Sequence, residues 1–86
     1  MASYKIEVSL TAEKQLRKLS QKDQISVLKR IQELSGDPRS NHSRKLRGQN
    51  NVYRVRVGNY RILYSVEDKH LIIIILKVGH RRDAYR

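Results

Sequence analysis

The fold follows from one segment, residues 52–64, which reads Val52-Tyr53-Arg54-Val55-Arg56-Val57-Gly58-Asn59-Tyr60-Arg61-Ile62-Leu63-Tyr64. From Tyr53 to Val57 the side chains alternate between apolar or aromatic and basic, as in a strand with one buried face. Gly58-Asn59 then supplies a two-residue turn, with Gly at the first central position, where a type II′ hairpin requires a positive φ. The segment therefore predicts a β-hairpin in which Val57 pairs with Tyr60 and Arg56 pairs with Arg61.

Three arginines, Arg54, Arg56 and Arg61, share one face of the predicted hairpin. Like charges directly opposite each other destabilise a sheet, so an anion is expected between Arg56 and Arg61. Arginine is permanently charged, and its planar fork matches phosphate oxygens in two-point contacts. We interpret this face as a binding surface for RNA phosphates. The alternative is a plain solvated strand face.

Composition supports a single basic domain, residues 1–86. The chain has 86 residues and a formal net charge of +11, from 19 Lys and Arg against 8 Asp and Glu. Small soluble domains typically carry a net charge of about 2–8, and the excess here predicts affinity for polyanions that falls as salt rises. The absence of cysteine excludes disulfides and zinc–thiolate sites. His42 and His70 lack ligand-type neighbours, so no metal or cofactor is expected.

The sequence offers no sign of export or membrane insertion. Its first residues contain no apolar signal-peptide core, and the longest apolar run, Leu71–Leu76, is too short to span a bilayer. We therefore expect a cytoplasmic protein without a membrane partner.

The region before the hairpin predicts a strand followed by two short helices. Residues 4–10 alternate as a strand does, Thr11 is expected to cap the first helix, and Ser20 begins a capping-box pattern for the second. Gly36 and Pro38 end the second helix. The predicted buried stripes are Ala12, Leu16 and Leu19 in the first helix, and Ile25, Leu28, Ile31 and Leu34 in the second.

The remaining segments complete the predicted fold. Residues 37–48 are polar and predict a loop, and the unbroken run Leu71–Leu76 predicts a central strand covered on both faces. The element order is β-α-α-β-β-β. We predict an α+β protein, an antiparallel β-sheet meander with an N-terminal strand and a helical hairpin packed on one face. The helices are expected to cover Tyr53, Val55, Val57, Ile62 and Tyr64, which turns the arginines outward.

The basic tail after the last predicted strand, Gly79 to Arg86, carries a second set of candidate residues. Histidine is suited to proton transfer near neutral pH, which makes His80 a candidate. Arg81 is suited to stabilising charge that builds on a phosphate, and Tyr85 offers a ring on which an unstacked base can rest. The alternative is that His80 is ordinary polar surface and that Tyr85 packs on its own domain.

These segments together resemble a known family. The matching stretches are Lys45-Leu46-Arg47-Gly48, Tyr53-Arg54-Val55-Arg56, Tyr60-Arg61-Ile62-Leu63-Tyr64 and Val78-Gly79-His80-Arg81-Arg82-Asp83-Ala84-Tyr85-Arg86. They resemble the RelE toxins of type II toxin–antitoxin modules over essentially the whole chain. The resemblance implies a ribosome-dependent mRNA endoribonuclease that cleaves the A-site codon by 2′-hydroxyl attack. It also implies neutralisation by an acidic, RelB-like antitoxin.

The same resemblance implies residue roles. Arg61 and Arg81 would bind the scissile phosphate, and Tyr85 would stack on a base of the codon. The other basic residues of the matching segments are expected to bind RNA: Lys45, Arg47, Arg82 and Arg86.

One departure from the family concerns proton transfer. Well-studied members carry lysines at the positions of Arg54 and Arg56, where one has been proposed as the general base. Arginine keeps its proton in proteins, so both residues are assigned here to charge stabilisation. His80 is then the predicted proton-transfer residue.

Two other functions fit parts of the sequence. A ParE-like toxin would share the fold but poison DNA gyrase through protein contacts, without needing the arginines or Tyr85. A non-catalytic basic module would bind ribosomal or other RNA without cutting it.

Overall fold

The described part of the chain, residues 3–80 of a computed structural model, forms two helices and one five-stranded sheet. The elements are β1 (Lys5–Val8), α1 (Leu10–Arg17), α2 (Gln21–Gly36), β2 (Ser43–Lys45), β3 (Val52–Val57), β4 (Tyr60–Glu67) and β5 (Ile72–His80). The α+β class and the predicted order of elements are confirmed. The strand β2 is an addition, because residues 37–48 were expected to be a loop throughout.

The sheet is mixed, with strand order β1-β5-β4-β3-β2. Strands β2 to β5 form an antiparallel meander, and β1 pairs in parallel with β5. The backbone N–H of Lys5 donates to the Leu71 carbonyl at 2.7 Å, and that of Ser9 donates to the Ile75 carbonyl at 2.9 Å. The N-terminal strand thus lies at the sheet edge beside β5, and β2 forms the opposite edge.

The β3–β4 hairpin has the predicted register. Val57 pairs with Tyr60 and Arg56 pairs with Arg61. Gly58 has φ +57°, the positive value that the first central position of a type II′ turn requires. The hairpin prediction is confirmed, and with it the sharing of one face by the three arginines.

The two helices begin at serines. Ser9, not Thr11, is the N-cap of α1, and its hydroxyl accepts from the Ala12 N–H at 3.1 Å. The prediction was wrong because β1 ends at Val8, two residues before the predicted strand end. Ser20 caps α2 as predicted and accepts from the Asp23 N–H at 3.2 Å.

The buried face of α2 differs from the prediction. Val27, Ile31 and Leu34 are buried, whereas Ile25 is 60% exposed and Leu28 is 46% exposed. Successive helical residues are rotated by about 100°, so positions 27, 31 and 34 form one narrow stripe. Relative to Val27, Leu28 is rotated by about 100° and Ile25 by about 160° in the same direction, so both lie outside the stripe. The predicted stripe was wrong at those two positions because it passed over Val27.

The core lies between the helices and one face of the sheet. The predicted face is confirmed, since Val55, Val57, Ile62 and Tyr64 are buried and Tyr53 packs against them. On β5 the residues Ile73 and Ile75 are buried, but Ile72, Ile74 and Leu76 are half-buried. The prediction of a strand covered on both faces was wrong for the described residues, because both helices lie on one side.

A bulge at Leu76 changes the direction of the last residues of β5. Leu63 pairs with Lys77 and Tyr64 pairs with Ile75, which leaves Leu76 as the extra residue. The Ser9 hydroxyl donates to the Leu76 carbonyl at 2.9 Å. A second contact from α1 follows, in which the Val78 N–H donates to the Gln15 side-chain oxygen at 2.7 Å. The extra residue reverses the alternation, so that Val78 is buried beneath the helices.

Candidate nucleic-acid interface

Four arginines occupy one surface formed by three adjacent strands, which we call the arginine face: Arg44, Arg54, Arg56 and Arg61. Arg44 on β2 lies opposite Arg54 on β3, and Arg56 lies opposite Arg61 on β4. The three arginines predicted from the sequence therefore share this face with a fourth, Arg44, which the sequence analysis did not identify. Its strand has only three residues and no apolar alternation, so the period-two signal that revealed β3 was absent.

The four guanidinium groups differ in exposure. Arg44 and Arg56 are exposed, Arg54 is half-buried, and Arg61 is only 8% exposed. The prediction that these arginines all face solvent was wrong for Arg61. A buried cation is costly to desolvate, and its field is weakly screened. Arg61 is therefore placed to act strongly on a nearby negative charge.

A concave site, which we call the arginine pocket, opens on this surface. It has a volume of about 320 Å³ and is lined by Asn41, His42, Arg44, Arg54, Val55 and Arg56. None of these lining residues is acidic, and three are permanently cationic. Planar guanidinium groups that converge on a polar pocket favour an anion with several acceptor oxygens, such as a phosphodiester.

The structure places His80 on the other side of the sheet. His80 pairs with Tyr60, and their rings lie 5.8 Å apart, edge to face. The Tyr60 hydroxyl donates to Asp23 of α2 at 2.9 Å, which raises the pKa of Tyr60. His80 lines a pocket of about 280 Å³ together with Asp23, Ser26 and Tyr60. Because Gly79, not His80, pairs with Arg61, the sheet does not bring His80 and the arginine face together.

The other predicted site residues also have assigned positions. Lys45 is exposed and pairs with Tyr53, which places it on the helix-facing side of the sheet edge. Arg47 is exposed in the connection between β2 and β3. The remaining predicted residues, Arg81, Arg82, Tyr85 and Arg86, lie outside the described residues.

An ion-pair network holds the loop that leads into β2. Arg39 donates to both carboxylate oxygens of Asp68, at 3.0 and 2.7 Å, and to the Tyr53 hydroxyl at 2.8 Å. Tyr4 donates to the same carboxylate at 2.7 Å. The Arg39 guanidinium, and then Tyr4, hold the pKa of the Asp68 carboxyl below its usual range.

A buried hydrogen bond adds a second attachment for this loop. The Tyr64 hydroxyl donates to the Pro38 carbonyl at 2.7 Å, and burial raises the pKa of Tyr64. Pro38 and Arg39 are thus fixed against the sheet a few residues before Asn41 and His42. The loop thereby brings both side chains to the arginine pocket.

Two further kinds of feature, a metal site and a membrane-spanning helix, are absent from residues 3–80. No group of three or more His, Asp or Glu side chains there is arranged to hold a metal ion. Neither helix in that range is long and apolar enough to cross a membrane.

Known proteins match the chain along nearly its whole length. The model of the ParE toxin of the type II toxin–antitoxin system parDE matches residues 6–85. Toxin RelG of Mycobacterium tuberculosis is 32% identical over 84 residues, which cover 96% of this chain and 97% of RelG. The mRNA interferase toxin RelE of Escherichia coli is 28% identical over 81 residues, 92% of this chain and 84% of that protein.

Solved structures agree with these sequence relationships. A chain of the RelBE2 toxin–antitoxin complex of Mycobacterium tuberculosis superposes with a TM-score of 0.83 at 30% identity, over 93% of this chain and 100% of that one. The resemblance inferred from the short basic and aromatic segments is thereby confirmed. The chain belongs to the RelE family of toxins from type II toxin–antitoxin systems, within the RelE/ParE superfamily.

Proposed function

We propose that this toxin is a ribosome-dependent endoribonuclease that cuts mRNA in the A site and so inhibits translation. The observation that carries the proposal is the arginine face, where four arginines lie on one surface of three adjacent strands. Such a surface is well matched to an RNA backbone, because guanidinium groups fit phosphate oxygens in two-point contacts. The name of the Escherichia coli relative, an mRNA interferase, supports the same reaction.

The proposed reaction is attack by a ribose 2′-hydroxyl on the adjacent phosphate. The O2′–P bond forms and the P–O5′ bond breaks, which leaves a 2′,3′-cyclic phosphate and a free 5′-hydroxyl. Negative charge accumulates on the phosphate oxygens as the phosphorus becomes five-coordinate. Arg54, Arg56 and Arg61 stabilise that charge, and cannot remove the 2′-hydroxyl proton because arginine stays protonated.

The proposal also assigns roles to residues beyond the arginine face. Arg81 adds positive charge at the scissile phosphate, and Tyr85 stacks on a base so that the 2′-oxygen aligns with the bond that breaks. The basic residues flanking the site contact the RNA backbone: Arg47, Arg82 and Arg86. Lys45 contributes less, because it lies on the helix-facing side of β2.

His80 remains a prediction as the proton-transfer residue. Its pairing with Tyr60, on the face opposite Arg56 and Arg61, gives that role no geometric support. A His80→Gln variant that cleaves at the parental rate, with the parental pH profile, removes His80 from the mechanism.

The proposed partner is an acidic antitoxin that occupies the basic surface of the toxin. A net charge of +11 favours fast association with an acidic, partly disordered segment that folds on binding. The RelBE2 complex and the intact Escherichia coli RelBE complex, both toxin–antitoxin assemblies of relatives, support this assignment. The ribosome and its message are the proposed targets of the free toxin.

Translation in a cell-free extract tests the proposal. Added toxin should arrest protein synthesis and produce new mRNA 5′ ends within the A-site codon, and an Arg56→Gln variant should be weaker in both respects. Arrest with intact mRNA would contradict the nuclease mechanism. Cleaved DNA–gyrase complexes with untouched mRNA would instead identify the ParE-like activity, and RNA binding without cleavage would identify a non-catalytic module.

A further inference from the structure

The arginine pocket contains a titratable side chain that the proposed mechanism has not used. His42 lines the pocket together with Arg44, Arg54 and Arg56. Sequence reasoning considered this residue only as a metal ligand. We infer that His42 is the proton-transfer residue of the arginine pocket, where it accepts the proton of the attacking 2′-hydroxyl. This inference rests on the proposed nuclease function.

The position of His42 is set by the fold. It directly precedes β2, at the end of the loop that Arg39 and Pro38 attach to the sheet. Next to it, Ser43 donates from both its backbone N–H and its hydroxyl to the Ser40 carbonyl, at 3.0 and 2.8 Å. These bonds give the turn at residues 40–43 a defined shape. His42 itself is exposed, so its imidazole is accessible to an RNA strand.

A second observation concerns the opposite side of His42. The residue also lines a neighbouring pocket of about 210 Å³, which contains Glu33 and Asp37 from the end of α2, together with Arg30. Arg30 and Glu33 form an ion pair at 3.7 Å. His42 thus lines both a cationic pocket that suits the phosphate and a neighbouring pocket that contains carboxylates.

The other two histidines are placed elsewhere. His70 lies in the β4–β5 turn, where its Nδ1 is 2.6 Å from a Glu67 carboxylate oxygen. His80 lies beside Tyr60 on the helix-facing side. Of the three histidines in the chain, His42 is therefore the one that lines the arginine pocket. Histidine is also the side chain whose ordinary titration range suits proton transfer at neutral pH.

The proton balance of the step is complete. Neutral His42 takes the 2′-hydroxyl proton as the O2′–P bond forms. The 5′-oxygen takes a proton from water as the P–O5′ bond breaks, and His42 then returns its proton to solvent. The neighbouring arginines hold the phosphate charge throughout without exchanging protons.

Single-turnover cleavage of ribosome-bound mRNA tests this assignment. Rates are measured from about pH 5.5 to about pH 9, the range in which histidine titrates, for the wild-type toxin and for His42→Gln, His42→Ala, His80→Gln and His70→Gln. We expect His42→Gln to cut about 100- to 10,000-fold more slowly and to lose the pH dependence near neutrality. His70→Gln, the matched control in the β4–β5 turn, should match the wild type. Added imidazole should partly restore His42→Ala.

The outcomes separate two kinds of failure. If the wild type does not cleave, the proposed nuclease function is wrong and the role of His42 is wrong with it. If the wild type cleaves and His42→Gln retains its rate and pH profile, only the His42 assignment is overturned. The assignment is also overturned if the defect of His42→Gln is matched by weaker binding to ribosomes carrying a 2′-O-methyl codon, since that would indicate a binding role. Thermal denaturation of each variant establishes that it is folded.

Discussion

Arg56 lies directly opposite Arg61 across the β3–β4 ladder, one exposed and the other buried. Two cations in this relationship repel each other across the pair of strands that carries them. Selection for stability alone does not favour the pair, because apolar, aromatic or oppositely charged cross-strand pairs stabilise a sheet better. The arrangement is understandable if a phosphate binds between them.

Removing the exposed member of this pair should therefore stabilise the free protein. We expect Arg56→Gln to raise the free energy of unfolding by about 0.2–1 kcal/mol and to weaken RNA binding. Urea denaturation of the isolated toxin measures the first effect. The control Lys69→Gln, in the exposed β4–β5 turn, should stay within about 0.5 kcal/mol of the wild type. A destabilised Arg56→Gln protein would contradict the idea of repulsion across the ladder.

The neighbours Arg44 and Lys45 offer a matched test of the RNA-binding surface, since they lie on opposite sides of β2. Each phosphate contact contributes about 0.7 to the slope of log affinity against log salt for a single strand. Arg44→Gln should reduce that slope by about 0.7. Lys45→Gln should change it less, because its side chain lies on the helix-facing side.

Fluorescence titrations of a labelled single-stranded RNA at several salt concentrations provide the slopes. A larger effect of Lys45→Gln than of Arg44→Gln would contradict the prediction from the strand register that Arg44 contacts RNA. It would favour Lys45, the RNA-binding residue that the sequence resemblance implies.

The hairpin was predictable because two kinds of signal agreed over residues 52–64, namely alternation and a turn-forming Gly58. The strand β2 was not predictable, since Ser43-Arg44-Lys45 is entirely polar and forms a strand only because β3 presents an edge to it. Tertiary pairing there overrides a weak local preference.

The face of the sheet on which His80 lies was not predictable, for a different reason. In an unbulged β5, His80 would share a face with Ile72 and Ile74, the face on which Arg61 lies. The extra residue Leu76 shifts the alternation by one and turns His80 toward Tyr60 instead. One more apolar residue within a run of apolar residues leaves no mark in the sequence pattern. The bulge is stabilised by contacts of Ser9 and Gln15, which lie at the start of α1 and within it, more than 60 residues earlier in the sequence.

The corrected face of α2 can be tested with two leucines that differ in burial. Leu34 is 1% exposed and Leu28 is 46% exposed. Leu34→Ala removes packed core volume and should lower the free energy of unfolding by about 2–5 kcal/mol. Leu28→Ala should cost less than about 1 kcal/mol. Chemical denaturation of both variants measures the difference, and equal losses would contradict the burial of the Val27, Ile31 and Leu34 stripe.

The Arg39–Asp68 ion pair should make the stability of the toxin depend on acid. Arg39 and Tyr4 lower the pKa of Asp68 in the folded protein, whereas an unfolded aspartate has a pKa of about 3.9. The pair therefore contributes stability that is fully present above about pH 4 and is lost as the pH falls through the lower folded-state value. We expect Asp68→Asn to melt at a lower temperature than the wild type near neutral pH, and the difference to shrink in acid.

Thermal denaturation from about pH 2 to about pH 7 measures the difference in melting temperature between the wild type and Asp68→Asn. The control Glu7→Gln removes an exposed carboxylate on β1 and should keep the acid dependence of the wild type. A gap between the wild type and Asp68→Asn that is constant over the whole range would contradict the role of the ionised carboxylate.

Mapping of new 5′ ends on ribosome-bound mRNA tests whether the arginine face binds the scissile phosphate and promotes cleavage. The wild-type toxin should produce ends within the A-site codon, bearing a 5′-hydroxyl. An Arg61→Gln variant that folds should produce these ends about 100- to 1,000-fold more slowly. If substitution of the buried Arg61 unfolds the protein, Arg54→Gln takes its place, with the same expected result. Intact message with the wild type, or parental cleavage by both variants, would contradict the assignment of the arginine face to the scissile phosphate.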